Sequence, residues 1–198
     1  RDTRHGHPAS DTLQSRRLYL SFPLPMPTIR PSREDDLDAI TAIYAHHVLH
    51  GTGTFELEPP SRADMAARRA EVLGRGLPWL VAEENGQVLG FAYANWFKPR
   101  PAYRFSAEDS IYVADAARGR GVGRALLTGL MAHAEAAGVR QLMAVVGDSA
   151  NAGSIALHRA LGFEPAGVMR SVGWKHGAWR DIVLLQRPLG SGDSGSPE

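Results

Sequence analysis

Residues 118–123 read RGRGVG and fall between the strand-like run SIYV and the helix-like run RALLTGLMAHAEAAG. Three glycines at a strand-to-helix junction constrain this chain more than any other stretch. The first turn of a helix leaves its N–H groups without intrahelical partners, and the helix dipole adds partial positive charge there. Glycine has no Cβ, so an anion can come close to the backbone. Arg118, Arg120 and Arg124 add full positive charges around Gly119, Gly121, Val122 and Gly123. The junction suits a pyrophosphate. It is not a Walker loop, because no Gly-Lys-Ser/Thr follows. It is not a dinucleotide fingerprint either, because the spacing differs and no βαβ unit opens the chain. Taken alone, the hexapeptide fits a Gly/Arg surface turn equally well.

The flanking pattern supplies a frame. A short strand at Thr28–Arg30 precedes an acidic helix start, after which Leu37, Ile40, Ile43, Tyr44 and Val48 share one helical face. SRADMAARRAEVLGRG reads as a second helix, with Ser61 and Asp64 in capping-box-like spacing. Asn85-Gly86 marks a hairpin between two strands. FSAEDSIYV is a further strand, and Gly121 to Ala137 is a third helix ended by Gly138. QLMAVVG is continuously apolar, as expected of a strand buried on both faces. Asn151 to Leu161 is a fourth helix and AWRDIVLLQRPL a closing strand. The order, roughly β-α-α-β-β-β-α-β-α-β-β, predicts one α/β domain with a mixed sheet, an antiparallel hairpin region and helices on both faces.

Composition removes several classes. The 198 residues carry a net charge of +1, so no global field points to nucleic acid or an anionic membrane. There is no cysteine, which excludes disulfides, thiolate metal sites and a cysteine nucleophile. No apolar run approaches the ~18 residues that span a bilayer, and a cytoplasmic setting is expected. Residues 1–25 show no sustained period and no signal-peptide pattern. They read as an upstream or appended flexible extension to a domain over residues 26–189, with residues 190–198 a flexible tail.

Here the chain resembles the GNAT N-acetyltransferases. RGRGVG fits the family's Arg/Gln-x-x-Gly-x-Gly loop, which holds the acetyl-CoA pyrophosphate, and NAGSIALHRALGF resembles its second signature, with an Asn opening a helix and Gly-Phe ending it. PWLVAEENGQVLGFAYANWFKPRPAYRFSAEDSIYV, SIALHRALGFEPAG and VGWKHGAWRDIVLLQRPL resemble the phosphinothricin and methionine sulfoximine/sulfone branch, so the likeness covers about Met26 to Leu189. The resemblance implies a mostly antiparallel sheet splayed at the cofactor site. It also implies acetyl-CoA as co-substrate, no metal, direct transfer in a ternary complex and a homodimer.

It further implies roles for single residues. Glu108 is the candidate general base, and otherwise a solvated carboxylate at a strand end. Strand alternation sends its neighbour Asp109 to the opposite face, so at most one of the two is expected to face the site. Ile111, Tyr112 and Val113 would offer backbone groups to the pantetheine arm. Asn151 and Ser154 would contact the cofactor from the fourth helix. His158, two turns after Asn151, either assists the leaving thiolate or is a packed helix histidine. Phe55, Lys98, Arg100, Tyr103, Arg104, Asp109 and Ser110 are candidates for the acceptor pocket, with Arg104 the best clamp for a carboxylate. GWKHGAW, residues 173–179, reads as a loop near the pocket entrance. His46, His47 and His50 lack an HExxH pattern and read as helix surface with no metal. The acceptor implied is the α-amine of a small amino acid. Other readings are a polyamine, aminoglycoside or protein N-terminal acceptor, and a non-catalytic CoA-binding module.

Overall fold

The computed structural model describes residues 26–197, so the expectations for residues 1–25 lie outside it. The helices are α1 (Leu37–His50), α2 (Arg62–Gly74), α3 (Val122–Ala136) and α4 (Ala152–Ala160). The strands are β1 (Thr28–Pro31), β2 (Trp79–Glu84), β3 (Gln87–Trp96), β4 (Ser106–Val113), β5 (Gln141–Gly147), β6 (Glu164–Lys175) and β7 (Ala178–Pro188). They form one sheet in the order β1-β2-β3-β4-β5-β7-β6. Every neighbouring pair is antiparallel except β4–β5. This is the mixed sheet expected from the element order, and its mostly antiparallel pairing is the one the family resemblance implies.

Local chemistry sets the boundaries. Ser61 Oγ accepts from the Asp64 N–H at 3.1 Å while Asp64 Oδ2 accepts from the Ser61 N–H at 2.9 Å, closing the capping box that starts α2. Asn85 and Gly86 take φ values of 52° and 79°, the left-handed pair a tight hairpin needs between β2 and β3.

Alternation along β3 and β4 fixes the layers. Phe91 and Tyr112 face α1, where Tyr44 meets their rings at centroid distances of 6.5 and 4.8 Å. On the other face Leu126 of α3 packs over Gly90, and Gly129 lies against Ile29 and Leu80. Leu126, Leu127 and Leu130 are fully buried there, each contributing about 1.5–3 kcal/mol of transfer free energy. Helices therefore cover both faces.

Two expectations change. β5 is not buried on both faces: Leu142, Ala144 and Val146 are buried towards the α3–α4 side, but Met143 and Val145 are only half-buried. The cause is coverage, because α1 and α2 pack on β2–β4 and leave β5 partly bare on their side. GWKHGAW is not a loop. Its ends are strand residues of β6 and β7, and only His176 and Gly177, at φ 51° and 69°, make the turn. Beyond β7, the Gly192 carbonyl accepts from Arg140 Nε at 2.8 Å, which ties the first residues after Leu189 to the domain.

Candidate active site

The one parallel pair creates the site. Ser106–Asp109 pair with Gln141–Ala144. Beyond that point β4 pairs only with β3, and β5 only with β7. The strands part after Asp109 and Ala144, leaving the fork-side backbone of Ser110–Val113 without a strand partner. A cleft of about 610 Å³ fills the fork. Ile111, Tyr112 and Val113 form one wall, and Val145–Gly147 the other.

The glycine junction closes one end. Gly119 and Gly121 take φ values of 72° and 81°, and Gly121 stands as the N-cap of α3 with no side chain capping it. The first intrahelical bond is donated by Ala125 to the Gly121 carbonyl, so the first-turn N–H groups of α3 remain available. Arg118, Gly119, Gly121, Val122 and Gly123 line the cleft. The other two arginines do not. Arg120 Nη2 lies 2.6 Å from Glu84 Oε2 at the end of β2, which anchors the loop to the hairpin instead of presenting that charge to the cleft. Arg124 is also outside the lining, and Arg118 keeps a loose pair with Asp115 at 3.3 Å.

α4 supplies the opposite side. Asn151 accepts from the Ser154 N–H at 3.3 Å and so caps the helix. The preceding turn is held by Asp148, which pairs with Arg180 at 2.9 Å and accepts from the Ala150 N–H at 3.0 Å. Asn151, Ser154 and His158 line the cleft. His158 Nδ1 donates to the Ser154 carbonyl at 2.7 Å, and Nε2 lies 3.1 Å from Asp109 Oδ1. Burial disfavours the imidazolium, but the Asp109 hydrogen bond and charge outweigh it and lift the His158 pKa above its usual value.

Glu108 and Asp109 occupy opposite faces of β4, as alternation requires, yet both line the cleft. The expectation that only one would do so fails because the cleft runs through the fork from one face to the other. Burial, and then the Asp109 charge, push Glu108 up to about 7 against the opposing charge of Lys98. On the same face Ser110 lines the cleft and is hydrogen-bonded to Tyr93.

The remaining acceptor candidates stand outside the lining. Lys98, Arg100, Tyr103 and Arg104 are exposed on the β3–β4 connection. Arg104 stacks over Phe105, with its guanidinium carbon 4.5 Å from the ring centroid, and donates to the Pro101 carbonyl at 3.2 Å. Phe55 lies beside the cleft, with its ring against Gly147 of β5 and Gly173 of β6.

The splayed sheet and the glycine-rich helix start at one end of the fork leave backbone groups facing one cleft, and the comparisons bear on it directly. The Acetyltransferase (GNAT) family model matches residues 42–163. This chain belongs to the GNAT acetyltransferase family. It is 57% identical over 171 residues to a phosphinothricin N-acetyltransferase of Alcaligenes faecalis, covering 86% of this chain and 87% of that protein. It is 41% identical to an L-methionine sulfoximine/L-methionine sulfone acetyltransferase of Pseudomonas paraeruginosa, covering 82% and 94%. The crystal structure of a GNAT superfamily phosphinothricin acetyltransferase from Sinorhizobium meliloti in complex with AcCoA superposes with a TM-score of 0.85 at 48% identity, covering 88% and 94%.

Two further features of this N-acetyltransferase depart from the sequence expectation, the setting of His47 and one wall of the cleft. His47 is not helix surface. It is mostly buried, lines the cleft with His50, and its Nε2–H donates to the Val113 carbonyl at 2.9 Å. Burial holds its pKa below the usual value. The signal was present, since His47 lies four residues after Ile43 and three after Tyr44, on the apolar stripe of α1. The α1–α2 connection, through Thr52 and Gly53, forms the missed wall.

Proposed function

We propose that this acetyltransferase moves the acetyl group of acetyl-CoA to the α-amine of a small amino-acid-like acceptor of the phosphinothricin, methionine sulfoximine or methionine sulfone type. The observation that carries the reading is Glu108, a mostly buried carboxyl with a pKa near 7 at the fork, on the face away from α3 and α4. Its relatives named above acetylate such acceptors, and one of them binds AcCoA.

The residues fit the cofactor. The Gly119–Gly123 backbone and the first turn of α3 suit its pyrophosphate, and the Ile111–Val113 edge, which has no strand partner on the fork side and whose Val113 carbonyl takes the His47 Nε2–H, suits the amides of its pantetheine arm. Acetyl-CoA, when bound, supplies the activated thioester. Glu108 takes a proton from the acceptor ammonium, directly or through a water, and so yields the nucleophilic amine. A backbone N–H of the β4 edge stabilises the developing oxyanion. Lys98, whose charge is felt at Glu108, and Arg100 and Arg104 on the same exposed connection lie outside the cleft lining and would meet the acceptor carboxylate at its mouth, with Tyr103 and Phe55 beside it.

The test is CoA release, followed with a thiol reagent, over phosphinothricin, methionine sulfoximine, methionine sulfone, spermidine and an aminoglycoside. The chain has no cysteine to react. Turnover of the amino-acid analogues alone is the expected result. Turnover of only the polyamine or the aminoglycoside would remove the carboxylate-binding reading.

The enzyme is also proposed to be a homodimer through β6. The two sheet edges differ: β1 is four residues long and ends at Pro31, whereas β6 is twelve long and almost wholly exposed. Val168, Met169, Val172 and Trp174 are exposed along it, and Trp174 meets the exposed Trp179 of β7 edge-on at 5.4 Å. A bare apolar edge strand of that length needs a cover. Sedimentation equilibrium is expected to give twice the mass of one chain, falling to one chain for Met169→Lys with Val172→Lys.

A further inference from the structure

The cleft wall opposite Glu108 carries a chain of three side chains whose proton count is fixed by geometry. A carbonyl oxygen only accepts, so the 2.7 Å contact from His158 to the Ser154 carbonyl requires a hydrogen on Nδ1. The 3.1 Å contact from Nε2 to Asp109 Oδ1 joins two atoms that would otherwise present lone pairs to each other, so it requires a second hydrogen. The count is the same whether that hydrogen rests on nitrogen or on oxygen. The Asp109–His158 pair therefore holds one proton more than a neutral imidazole beside a carboxylate. Both side chains are 4% exposed, and Asp109 Oδ2 is buried without a partner among the described residues. The pair sits where the fork opens, because Asp109 and Ala144 are the last residues that join β4 to β5.

We propose that Ser154, His158 and Asp109 form a proton relay to the leaving thiolate, in which the Ser154 hydroxyl is the group that touches sulfur. Both nitrogens of His158 are committed to protein atoms, so the ring does not reach the sulfur itself. Ser154 lines the cleft, and its Oγ lies 3.4 Å from His158 Nδ1, a long contact that shortens when Nδ1 turns from the carbonyl to the hydroxyl. As the C–S bond breaks, its electron pair goes to sulfur. The Oγ–H proton passes to the thiolate, and Nδ1–H passes to Oγ. His158 is left neutral with Nε2–H on the Asp109 carboxylate, and the restored hydroxyl donates to Nδ1. A proton from solvent resets the pair. Asp109 acts through His158 and is a positioning residue.

The surroundings allow this. Phe163 packs edge-on against His158 at 5.0 Å, and β5 carries no titratable side chain. Glu108, the neighbouring charge on β4, faces the other side of the sheet. The raised pKa of His158 agrees with a pair that keeps its proton at neutral pH.

The inference rests on the acetyl-transfer reading above, so the test has one arm that needs no acceptor. Ring-nitrogen NMR of the unliganded enzyme at pH 7.5 is expected to show two ring protons on His158, and one in Asp109→Asn. In turnover with the best acceptor at pH 8, Asp109→Asn and Ser154→Ala are each expected to lose about 10²-fold in kcat, a far larger change than in the KM for acetyl-CoA. The alkaline limb of the kcat–pH profile should move to lower pH in Asp109→Asn and stay in place in Ser154→Ala. A wild-type profile for Asp109→Asn, wild-type kcat for Ser154→Ala, or a wild-type pair with a single ring proton on His158 and an ionised Asp109 carboxylate, read by ring-nitrogen and carboxyl-carbon NMR together, would each overturn the relay. If Asp109→Asn fails to fold by circular dichroism, Ser154→Ala, which leaves the buried pair intact, decides.

Discussion

Glu108→Gln is expected to slow acetyl transfer about 10²–10⁴-fold, the usual contribution of a positioned base, while making the protein more stable above neutral pH. The two effects share one origin. The α-ammonium of a chain terminus has a pKa of about 8, and that of a free amino acid lies higher because its own carboxylate stabilises the cation, so at pH 7 nearly all of the acceptor carries the proton that must leave. Glu108 sits at the fork with a pKa of about 7, raised first by burial and then by the charge of Asp109. At that value the carboxylate is half-formed under working conditions and basic enough to take the proton. The pH profile of kcat/KM for wild type should rise with unit slope and level off above about pH 7. Glu108→Gln should lose that limb. A variant that keeps the limb would assign the base elsewhere.

The stability half follows from linkage. The Glu108 carboxyl has a pKa of 4.5 when unfolded and about 7 in the fold. The folded state therefore favours the protonated form, and its contribution is fully present below pH 4.5. It declines between those two values and is gone above about 7. A shift of roughly 2.5 units corresponds to about 3 kcal/mol. Gln is neutral and of the same shape, so the difference in unfolding free energy between Glu108→Gln and wild type should grow by up to about 3 kcal/mol from pH 4.5 to pH 8 in urea titrations. An unchanging difference would mean that the Glu108 site is better hydrated than its burial implies.

The parts legible in the sequence were those decided by local chemistry. The capping box at Ser61 and Asp64, the left-handed pair at Asn85-Gly86 and the glycine N-terminus of α3 each depend on residues within a few positions of one another, and each formed where it was read. The fork depends on where two strands stop pairing, a property of register. It came from the family resemblance and not from the pattern of β4 or β5. Long-range pairing was hidden in the same way. Arg120 looked like a phosphate ligand because its loop is cationic, but Glu84 lies 36 residues away in sequence and meets it only in the folded sheet. Asp109 looked like an acceptor contact because it adjoins Glu108, whereas its partner is 49 residues on. His47 shows the converse, a residue on a legible apolar stripe whose polar side chain was given more weight than its spacing.

Gly147→Ala is expected to destabilise the enzyme by about 1–3 kcal/mol, the range for overpacking a filled site, and to raise the KM for the acceptor more than that for acetyl-CoA. A Cβ at this position would run into the Thr52 carbonyl and stand 3.2 Å from Phe55 Cε1. The carbonyl belongs to a backbone that is pinned from several sides. Tyr44 Oη lies 3.0 Å from Thr54 Oγ1, Lys175 Nζ donates to the Thr54 carbonyl at 2.7 Å, and Arg68 holds Glu56 at 2.6 Å. Relief must come by lifting the whole Thr52–Phe55 segment. That segment covers the end of β5 on the Glu108 face, where the acceptor is proposed to bind, whereas the pyrophosphate loop lies at the start of α3. The displacement should therefore weaken acceptor capture and largely spare cofactor capture, a split that steady-state kinetics with each substrate varied in turn would read directly. Equal rises in both KM values would place the segment under the pantetheine arm instead. A stable variant with unchanged kinetics would show that the connection yields freely and does not shape the acceptor side.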